Sequence, residues 1–299
     1  MSKPSYRRSV LNLILLSIIW GGTFPATKTA LELTDPIQLI ALRFWLAILL
    51  LLPFLNRFRR SSGINTASEP WLRKSTWLAG AWVGMWLFIA YVLQTVGMRY
   101  TTASRSGFFT GLLVVLTPIA AYLFRTSKVS ASSLIAVPVS LFGVYLLADP
   151  KLGALNIGDC LTIGCAAGFA LQMVSLESVA KRVRDFWGLT FVQMVTIGVG
   201  SLIWALIEHK PFQVSPIGWW AIIYTGLFGS IFATYLQTRY QPEISAGNAA
   251  LIFALEPIFA GIFAFFLLHD PWSQRSLLGA LVILTAMVWS SRRIGSGSS

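Results

Sequence analysis

Ten long apolar stretches dominate this 299-residue chain and leave little sequence between them. A hydrocarbon core about 30 Å thick needs about 20 apolar residues for each helix that crosses it. The chain is 56% hydrophobic and only 11% charged, whereas soluble domains carry about 25% charged residues. We therefore predict an all-α integral membrane protein with ten transmembrane helices. The predicted spans are residues 10–30, 36–55, 76–96, 103–124, 132–148, 157–179, 186–207, 216–238, 244–268 and 275–291.

The last five stretches resemble the first five. A shift of 139 positions places Pro118 of the fourth stretch on Pro257 of the ninth, and both stretches begin with small residues. Because five is an odd number, a second five-helix unit joined directly to the first must lie upside down in the membrane. Inverted repeats of this kind are typical of secondary transporters, whose substrate site lies near the midplane. We predict one repeat in residues 1–150 and an inverted one in 151–294, and we interpret 295–299 as a cloning remnant.

The Lys and Arg side chains cluster at the ends of the apolar stretches. If the N-terminus is cytoplasmic, the segments predicted inside hold sixteen of them and the segments predicted outside hold five. Cytoplasmic loops carry such an excess, which sets membrane orientation. The net charge of +12 therefore reflects orientation, and we expect no nucleic-acid partner. We predict a multi-pass protein of the cell inner (cytoplasmic) membrane with both termini in the cytoplasm.

Charged residues inside the apolar stretches are the first candidates for function. A charge at the bilayer centre costs about 2.5–3.5 kcal/mol on insertion scales, so it tends to face protein or water. Glu256 lies deepest and is the leading candidate for ion coupling or for contact with a substrate amine; a buried hydrogen bond to a neighbouring helix is the alternative. Lys28 and Glu177 can instead reach an interface, and Arg43 can instead bridge helix ends.

Aromatic and amide side chains within the spans can line a pocket and orient a ligand. Lipid contact is the alternative for each aromatic residue. Besides Glu256, the residues predicted to bind substrate are Trp20, Trp82, Trp86, Tyr91, Gln94, Gln172, Tyr235 and Asn248. Proline removes a backbone hydrogen bond and kinks a helix. The predicted hinges or kinks are Pro25, Pro118 and Pro257.

Four short motifs follow one another in a specific order along the chain. They are Trp20-Gly21-Gly22-Thr23-Phe24 with Lys28, then Arg43-Phe44, then Tyr100-Thr101-Thr102-Ala103-Ser104 ahead of Pro118, and finally Leu255-Glu256-Pro257. With these motifs the chain resembles the EamA branch of the drug/metabolite transporter superfamily over nearly its whole length. It is similar to the bacterial YddG-type amino-acid exporters.

The resemblance implies a ten-helix bundle with an inverted five-plus-five repeat and both termini cytoplasmic. Helices 1, 3, 4, 6, 8 and 9 would surround a central cavity, and Thr23 of the first motif joins the predicted substrate-binding residues. Members of this family export amino acids, other metabolites or toxic compounds. Our leading prediction is a secondary transporter that exports small metabolites, foremost amino acids with aromatic ones among them, by alternating access. The alternatives are export of drugs or other metabolites, and a facilitator or channel.

Other function classes find little support in the sequence. No GxxxxGK[ST] phosphate loop is present, so ATP is not the predicted energy source. The two histidines, His209 and His269, fall at predicted loop ends, and the HExxH and GxSxG motifs are missing, which argues against an intramembrane enzyme. Cys160 and Cys165 lie in one predicted helix and suit neither a disulfide framework nor a zinc site. We expect no cofactor and no metal, a small-molecule substrate and the lipid bilayer as partners, and a sequence compatible with a monomer.

Overall fold

The computed structural model describes residues 5–66, 72–124, 131–147, 155–268 and 273–296. Within these ranges the regular secondary structure is helical. The α-helices are α1 (Tyr6–Ala30), α2 (Pro36–Leu51), α3 (Leu55–Ser61), α4 (Lys74–Tyr100), α5 (Ala103–Thr110), α6 (Leu113–Leu123), α7 (Ala131–Leu147), α8 (Ile157–Ala180), α9 (Phe186–Ile207), α10 (Pro216–Tyr224), α11 (Ala233–Tyr240), α12 (Ala246–Phe253), α13 (Glu256–Leu268) and α14 (Gln274–Ser296). A π-helical segment, Thr225–Phe232, joins α10 to α11.

The predicted all-α membrane class is confirmed. Eight helical segments of the described chain are long and apolar enough to cross a bilayer, and two shorter apolar helices coincide with the predicted fifth and tenth spans. The eight are Tyr6–Ala30, Pro36–Ser61, Lys74–Tyr100, Arg105–Leu123, Ile157–Ala180, Phe186–Ile207, Pro216–Glu243 and Ala246–Leu267. The shorter two are Ile135–Leu146 and Gln274–Ala286.

Some sequence-based predictions fall on parts of the chain that the structure does not describe. Among the charges used for orientation, these are Lys3, Arg125, Lys128 and Lys151. His269 and residues 297–299 of the interpreted cloning remnant also lie outside the described ranges.

Short polar sequences set the helix ends. The Asp35 side chain accepts the backbone N–H of Ile37 at 2.9 Å, with Pro36 at the first helical position. Asn156 and Asp159 form a reciprocal capping box at the start of α8. Each cap satisfies backbone donors that would otherwise be unpaired near the membrane, so each apolar run ends at a defined turn.

Glycines bring the long helices into close contact. A Cβ atom on Gly80 of α4 would lie 2.6 Å from the Cβ of Val192 on α9, and one on Gly84 would lie 2.9 Å from the Cβ of Thr196. No larger side chain fits without moving the helices apart. Close approach of backbones through small residues is the usual basis of helix association in membranes.

The predicted fourth and ninth spans are each interrupted, but only Pro257 lies at its break, whereas Pro118 lies inside the continuous helix α6. Proline has no N–H and its ring crowds the carbonyl four residues earlier. The chain leaves α-helical geometry around Gly111, before Pro118, and again between α12 and α13, just before Pro257. At the second break the N–H of Ile258 bonds to the carbonyl of Leu255 at 3.0 Å, one residue short of an α-helical bond. Like α6 at Pro118, α1 runs without a break through Pro25.

Polar contacts gather at the two ends of the bundle. At one end, which we call the Asp35 side, Lys210 Nζ lies 2.9 Å from Asp35 Oδ2. At the other end, the Arg59 side, Arg59 Nε lies 2.7 Å from Asp185 Oδ2. Between these polar ends the helices present apolar surface, as a membrane-embedded bundle requires.

The Asp35 contact is stable across the neutral pH range. Burial alone would raise the pKa of Asp35, but hydrogen bonds from Lys210 and from the N–H of Ile37, with the charge of Lys210, lower it below its ordinary value of 3.8. A carboxyl group with a lowered pKa stabilises the fold above its unfolded-state pKa, and that stabilisation is lost as pH falls through the folded-state pKa. The contact therefore holds at neutral and mildly acidic pH and weakens only in strong acid.

Candidate functional site

A small cavity lies inside the bundle, near the middle of the long helices. Its walls come from predicted spans 1, 3, 4, 6, 8 and 9, which are the six spans that the family resemblance implies. The centre of a water molecule can reach about 20 Å³ of it, which is room for about one water molecule. The lining residues are Trp20, Thr23, Tyr91, Gln94, Leu113, Phe169, Met173, Gln237, Phe253 and Glu256.

Five of the predicted substrate-binding residues meet in this cavity. They are Trp20, Thr23, Tyr91, Gln94 and Glu256. The two helices α1 and α4 supply four of them from faces that repeat every three to four residues. Side chains far apart in sequence therefore converge on one central space.

Glu256 is the most unusual group in the cavity. Its side chain is only 7% exposed and belongs to the first turn of α13, at the break before Pro257. No hydrogen bond or ion pair to Glu256 occurs within the described part of the chain, which leaves the alternative of a buried hydrogen bond without support. An isolated carboxylate in apolar surroundings is costly unless a cation or a proton joins it. The cavity thus holds an acidic group whose charge a proton or a cation would neutralise.

Aromatic rings form much of the wall around the carboxyl group. The Trp20 ring lies 5.4 Å from Phe253 and 6.5 Å from Phe169, and Tyr91 meets Phe169 edge-on at 5.6 Å. Such rings attract cations over their faces and bury apolar groups. The sequence reasoning missed Phe253 as a site residue. Its position about one helical turn before Glu256 could have indicated that Phe253 lies at the same site.

Amide side chains contribute polar groups to two opposite parts of the cavity wall. Gln237, a lining residue, exchanges two hydrogen bonds with the fully buried Gln172, at 3.0 and 3.2 Å. Gln172 therefore supports the wall from behind. Gln94 donates to Thr110 Oγ1 at 3.2 Å on the opposite part of the wall. These amides hold polar atoms at the cavity without a net charge.

Arg43 fixes two walls of the cavity in place. Its guanidinium donates to Gly229 O at 2.9 Å and to Ser230 Oγ at 2.8 Å, both in the π-helical segment. It also lies 4.8 Å from the ring centroid of Tyr91. Trp20 Nε1 donates to the same Gly229 carbonyl at 3.4 Å. A π-helical turn frees carbonyls for such bonds and is frequent at functional sites. Arg43 therefore bridges α2 to the middle of another span and not to a helix end, which differs from the alternative that the sequence offered.

Two of the predicted tryptophans lie outside the cavity. Trp82 is 55% exposed on the outer surface of α4, where it meets Trp86 edge-on at 5.7 Å. Nine residues at about 100° each place Trp82 on the face of α4 opposite Tyr91. Because only one face of α4 reaches the cavity, this part of α4 suits lipid contact.

Tyr235 and Asn248 also lie away from the cavity lining. Tyr235 stacks on Trp187 with ring centroids 3.7 Å apart. Asn248 is half-buried, and its Nδ2 donates to the carbonyl of Ile244 at 3.2 Å. Both residues serve contacts near the Arg59 side of the bundle.

Lys28 and Glu177 cap helix ends at the two edges of the bundle. Lys28 Nζ donates to the carbonyls of Met98 and Thr101 at 2.7 and 2.8 Å. Glu177 Oε2 accepts the backbone N–H of Ala246 at 2.7 Å. The positive group meets a helix C-terminus and the negative group a helix N-terminus, which is the favourable sense for the helix dipole.

Comparison with known proteins identifies the class. The model of the EamA-like transporter family matches residues 7–148 and again 156–292. An uncharacterized transporter of Archaeoglobus fulgidus is 30% identical over 95% of this chain and 86% of its own length. The uncharacterized transporter YvbV of Bacillus subtilis is 26% identical over 94% of this chain and 90% of its own. One protein of known crystal structure aligns with a TM-score of 0.73 at 15% identity, over 95% of this chain and 98% of that one, and shows the fold alone.

The protein is thus a multi-pass membrane transporter and not an enzyme. The chain belongs to the EamA-like transporter family.

Proposed function

We propose that this protein is a secondary transporter that exports amino acids by alternating access through the central cavity. The observation that carries the proposal is Glu256, a carboxyl group without a partner among the described residues, enclosed by aromatic rings. The α-ammonium group of an amino acid supplies the missing cation. Apolar or aromatic side chains suit the walls formed by Trp20, Phe169 and Phe253.

We also propose the inverted five-plus-five repeat, with units 1–150 and 151–294. Span 1 corresponds to span 6, span 2 to span 7, and so on to spans 5 and 10. When each span is replaced by its counterpart, the pairs of spans that pack together become other pairs that also pack together. The contact of α1 with α13 (spans 1 and 9) has its counterpart in that of α8 with α6 (spans 6 and 4). The contact of α4 with α8 (spans 3 and 6) corresponds to that of α10 and α11 with α1. Two further contacts join a span directly to its own counterpart. They are the contact of α2 with α9 (spans 2 and 7) and that of α7 with α14 (spans 5 and 10).

The capping charges support the same repeat. Lys28, late in the first span, reaches backbone between the third and fourth spans. Glu177, late in the sixth span, reaches the start of the ninth. The two side chains act at corresponding junctions on opposite sides of the membrane, as an inverted repeat requires.

The Arg59 side is the proposed cytoplasmic side of the inner membrane. Its described residues include Arg57, Arg59, Arg60, Lys181, Arg182 and Arg184. In the described part of the chain the Asp35 side carries fewer basic residues, and Lys210 of this side pairs with Asp35 and Glu208. The positive-inside rule then assigns both termini to the cytoplasm.

The size of the cavity supports the proposal of alternating access. Its reachable volume of about 20 Å³ is too small for an amino acid, so the bundle must open before substrate enters. The breaks near Pro118 and Pro257 divide the two spans whose Leu113 and Phe253 line the cavity. We propose these breaks as hinges, with Pro257 at the second of them, whereas the continuous helices α1 and α6 assign Pro25 and Pro118 at most local kinks.

Pro257→Ala is expected to slow the exchange between the two access states by closing the backbone break just before it, and Pro118→Ala by straightening α6 next to the break at Gly111. Labelling of cysteines introduced at Thr27 and at Gln237, with impermeant reagents applied from each side in turn, measures that exchange. We expect each variant to lose labelling from one side by several-fold while the parent keeps both. Normal exposure from both sides in both variants would contradict the hinge proposal.

Transport by purified protein in liposomes tests the proposed function. We expect counterflow of at least one labelled amino acid from a panel of acidic, basic, apolar and aromatic ones, and accumulation when a proton gradient is imposed. Protein-free liposomes are the control. Absence of counterflow for every amino acid in the panel would remove the amino-acid assignment.

Export of drug-like organic cations is the second candidate. The aromatic wall beside a carboxyl group is the observation that favours it, because rings bind quaternary ammonium groups as well as primary ones. A labelled lipophilic quaternary ammonium ion belongs in the same panel. Counterflow of this ion without counterflow of any amino acid would favour the second candidate over the first.

A further inference from the structure

We propose that a basic pocket on the Arg59 side binds the phosphate of an anionic phospholipid headgroup. The pocket lies between the end of α3, the start of α4 and the turn that joins α8 to α9, and its volume is about 370 Å³. Its basic lining residues are Arg59, Arg73, Arg182 and Arg184. It is separate from the central cavity, so the proposal does not rest on the transported substrate.

The charge of the lining favours an anion. Among the described lining residues Asp185 is the one acidic residue, and its carboxylate is paired with Arg59 at 2.7 Å. The exposed Arg182 and Arg184 add positive charge to the pocket. Arginine presents a planar set of donors that matches the oxygens of a phosphate group.

Backbone donors of α4 add to this preference. The helix is 27 residues long, and Arg73 at its N-cap position makes no side-chain capping bond. Ser75 and Thr76 of the first turn line the pocket. The N-terminus of a long helix presents unpaired N–H groups and a partial positive charge, which together bind anions such as phosphate.

The surroundings of the pocket indicate a lipid rather than a soluble anion. Phe58 stacks on Trp187 at 4.6 Å beneath the pocket, and such aromatic residues gather at the level of the lipid headgroups. Leu52 and Phe54, just before α3, are 45% and 51% exposed and offer apolar surface to an acyl chain. On the proposed orientation the pocket faces the cytoplasmic leaflet, where basic pockets between transmembrane helices bind anionic headgroups.

Thermal unfolding of the purified full chain in detergent micelles tests the lipid site. We expect added phosphatidylglycerol to raise the Tm and phosphatidylcholine to leave it unchanged. In Arg182→Gln/Arg184→Gln the apparent affinity for phosphatidylglycerol should fall about 25-fold, because each basic residue near the surface contributes about a factor of five. Both side chains lie in a turn at the surface of the bundle, so the Tm without lipid should match that of the parent.

A matched control separates the site from general charge attraction. Arg7→Gln/Arg57→Gln removes the same charge from exposed positions outside the pocket and should keep the full response to phosphatidylglycerol. An equal loss in both double variants, or no response in the parent, would overturn the proposal. Inorganic phosphate forms the third arm, and an equal Tm increase with phosphate alone would assign the pocket to a soluble anion instead.

Discussion

Replacing Glu256 by glutamine is expected to reduce concentrative amino-acid transport in liposomes about 10- to 100-fold. Glutamine keeps the size and hydrogen-bonding atoms of the side chain but removes the charge that would meet the substrate ammonium group. A hydrogen bond to a charged group contributes about 1.5–3 kcal/mol, and each 1.4 kcal/mol corresponds to a factor of about ten. Because Glu256 has no bonded partner among the described residues, the variant should insert and fold like the parent.

Two assays define the role of this carboxyl group. Loss of both counterflow and gradient-driven uptake indicates contact with the substrate, whereas loss of gradient-driven uptake alone indicates ion coupling. Glu208→Gln is the matched control, because Glu208 pairs with Lys210 at the Asp35 side, away from the cavity. Normal counterflow together with normal concentrative uptake in Glu256→Gln would remove the carboxyl group from the mechanism.

Arg59→Met is expected to lower the free energy of unfolding by about 3–5 kcal/mol, because its removal leaves a buried carboxylate without a counter-charge. Arg59 is 1% exposed and bonds Asp185 at 2.7 Å and Asn56 Oδ1 at 3.1 Å. Loss of one partner is the costly way to break a buried ion pair. Chemical unfolding in micelles, followed by tryptophan fluorescence, measures the change.

A double variant separates the ion pair from the helix cap. Asp185 also accepts the N–H of Gly188 at 2.9 Å and so caps α9. The substitution Asp185→Asn keeps an oxygen for that bond but removes the charge, so Arg59→Met/Asp185→Asn should recover most of the lost stability. If the double variant were as unstable as Arg59→Met alone, packing of the arginine stem and not charge would explain the loss.

The membrane class and the course of the helices follow from hydrophobicity alone. The seventh predicted span, 186–207, coincides with Phe186–Ile207, because polar turns bound an apolar run on both sides. Breaks within a span are harder to predict. The π-helical segment at Thr225–Phe232 is bonded by Arg43 from another helix. The sequence of the span itself therefore does not predict where the π-helix forms.

A site residue could be predicted from sequence when its position along the span, deep in the membrane, marked it. It was harder to predict when the helix face on which the residue lies had to be known. Glu256 was identified because any charge so deep in an apolar run needs a reason. Trp82 and Tyr91 occupy the same helix, but only contact with the other helices determines which face turns inward. Lys28 and Glu177 are also charged residues within predicted spans, so the sequence makes them candidates as well. Each side chain is long enough to reach the end of a neighbouring helix, where it bonds backbone atoms instead.

The narrow central cavity has a consequence for the cell that houses the protein. With room for about one water molecule, this cavity does not by itself carry a continuous file of water across the bilayer. On the proposed alternating-access mechanism, protons and small ions therefore find no leak through this cavity between transport cycles. The energy stored across the membrane would then be drawn on only during the rearrangements that admit a solute.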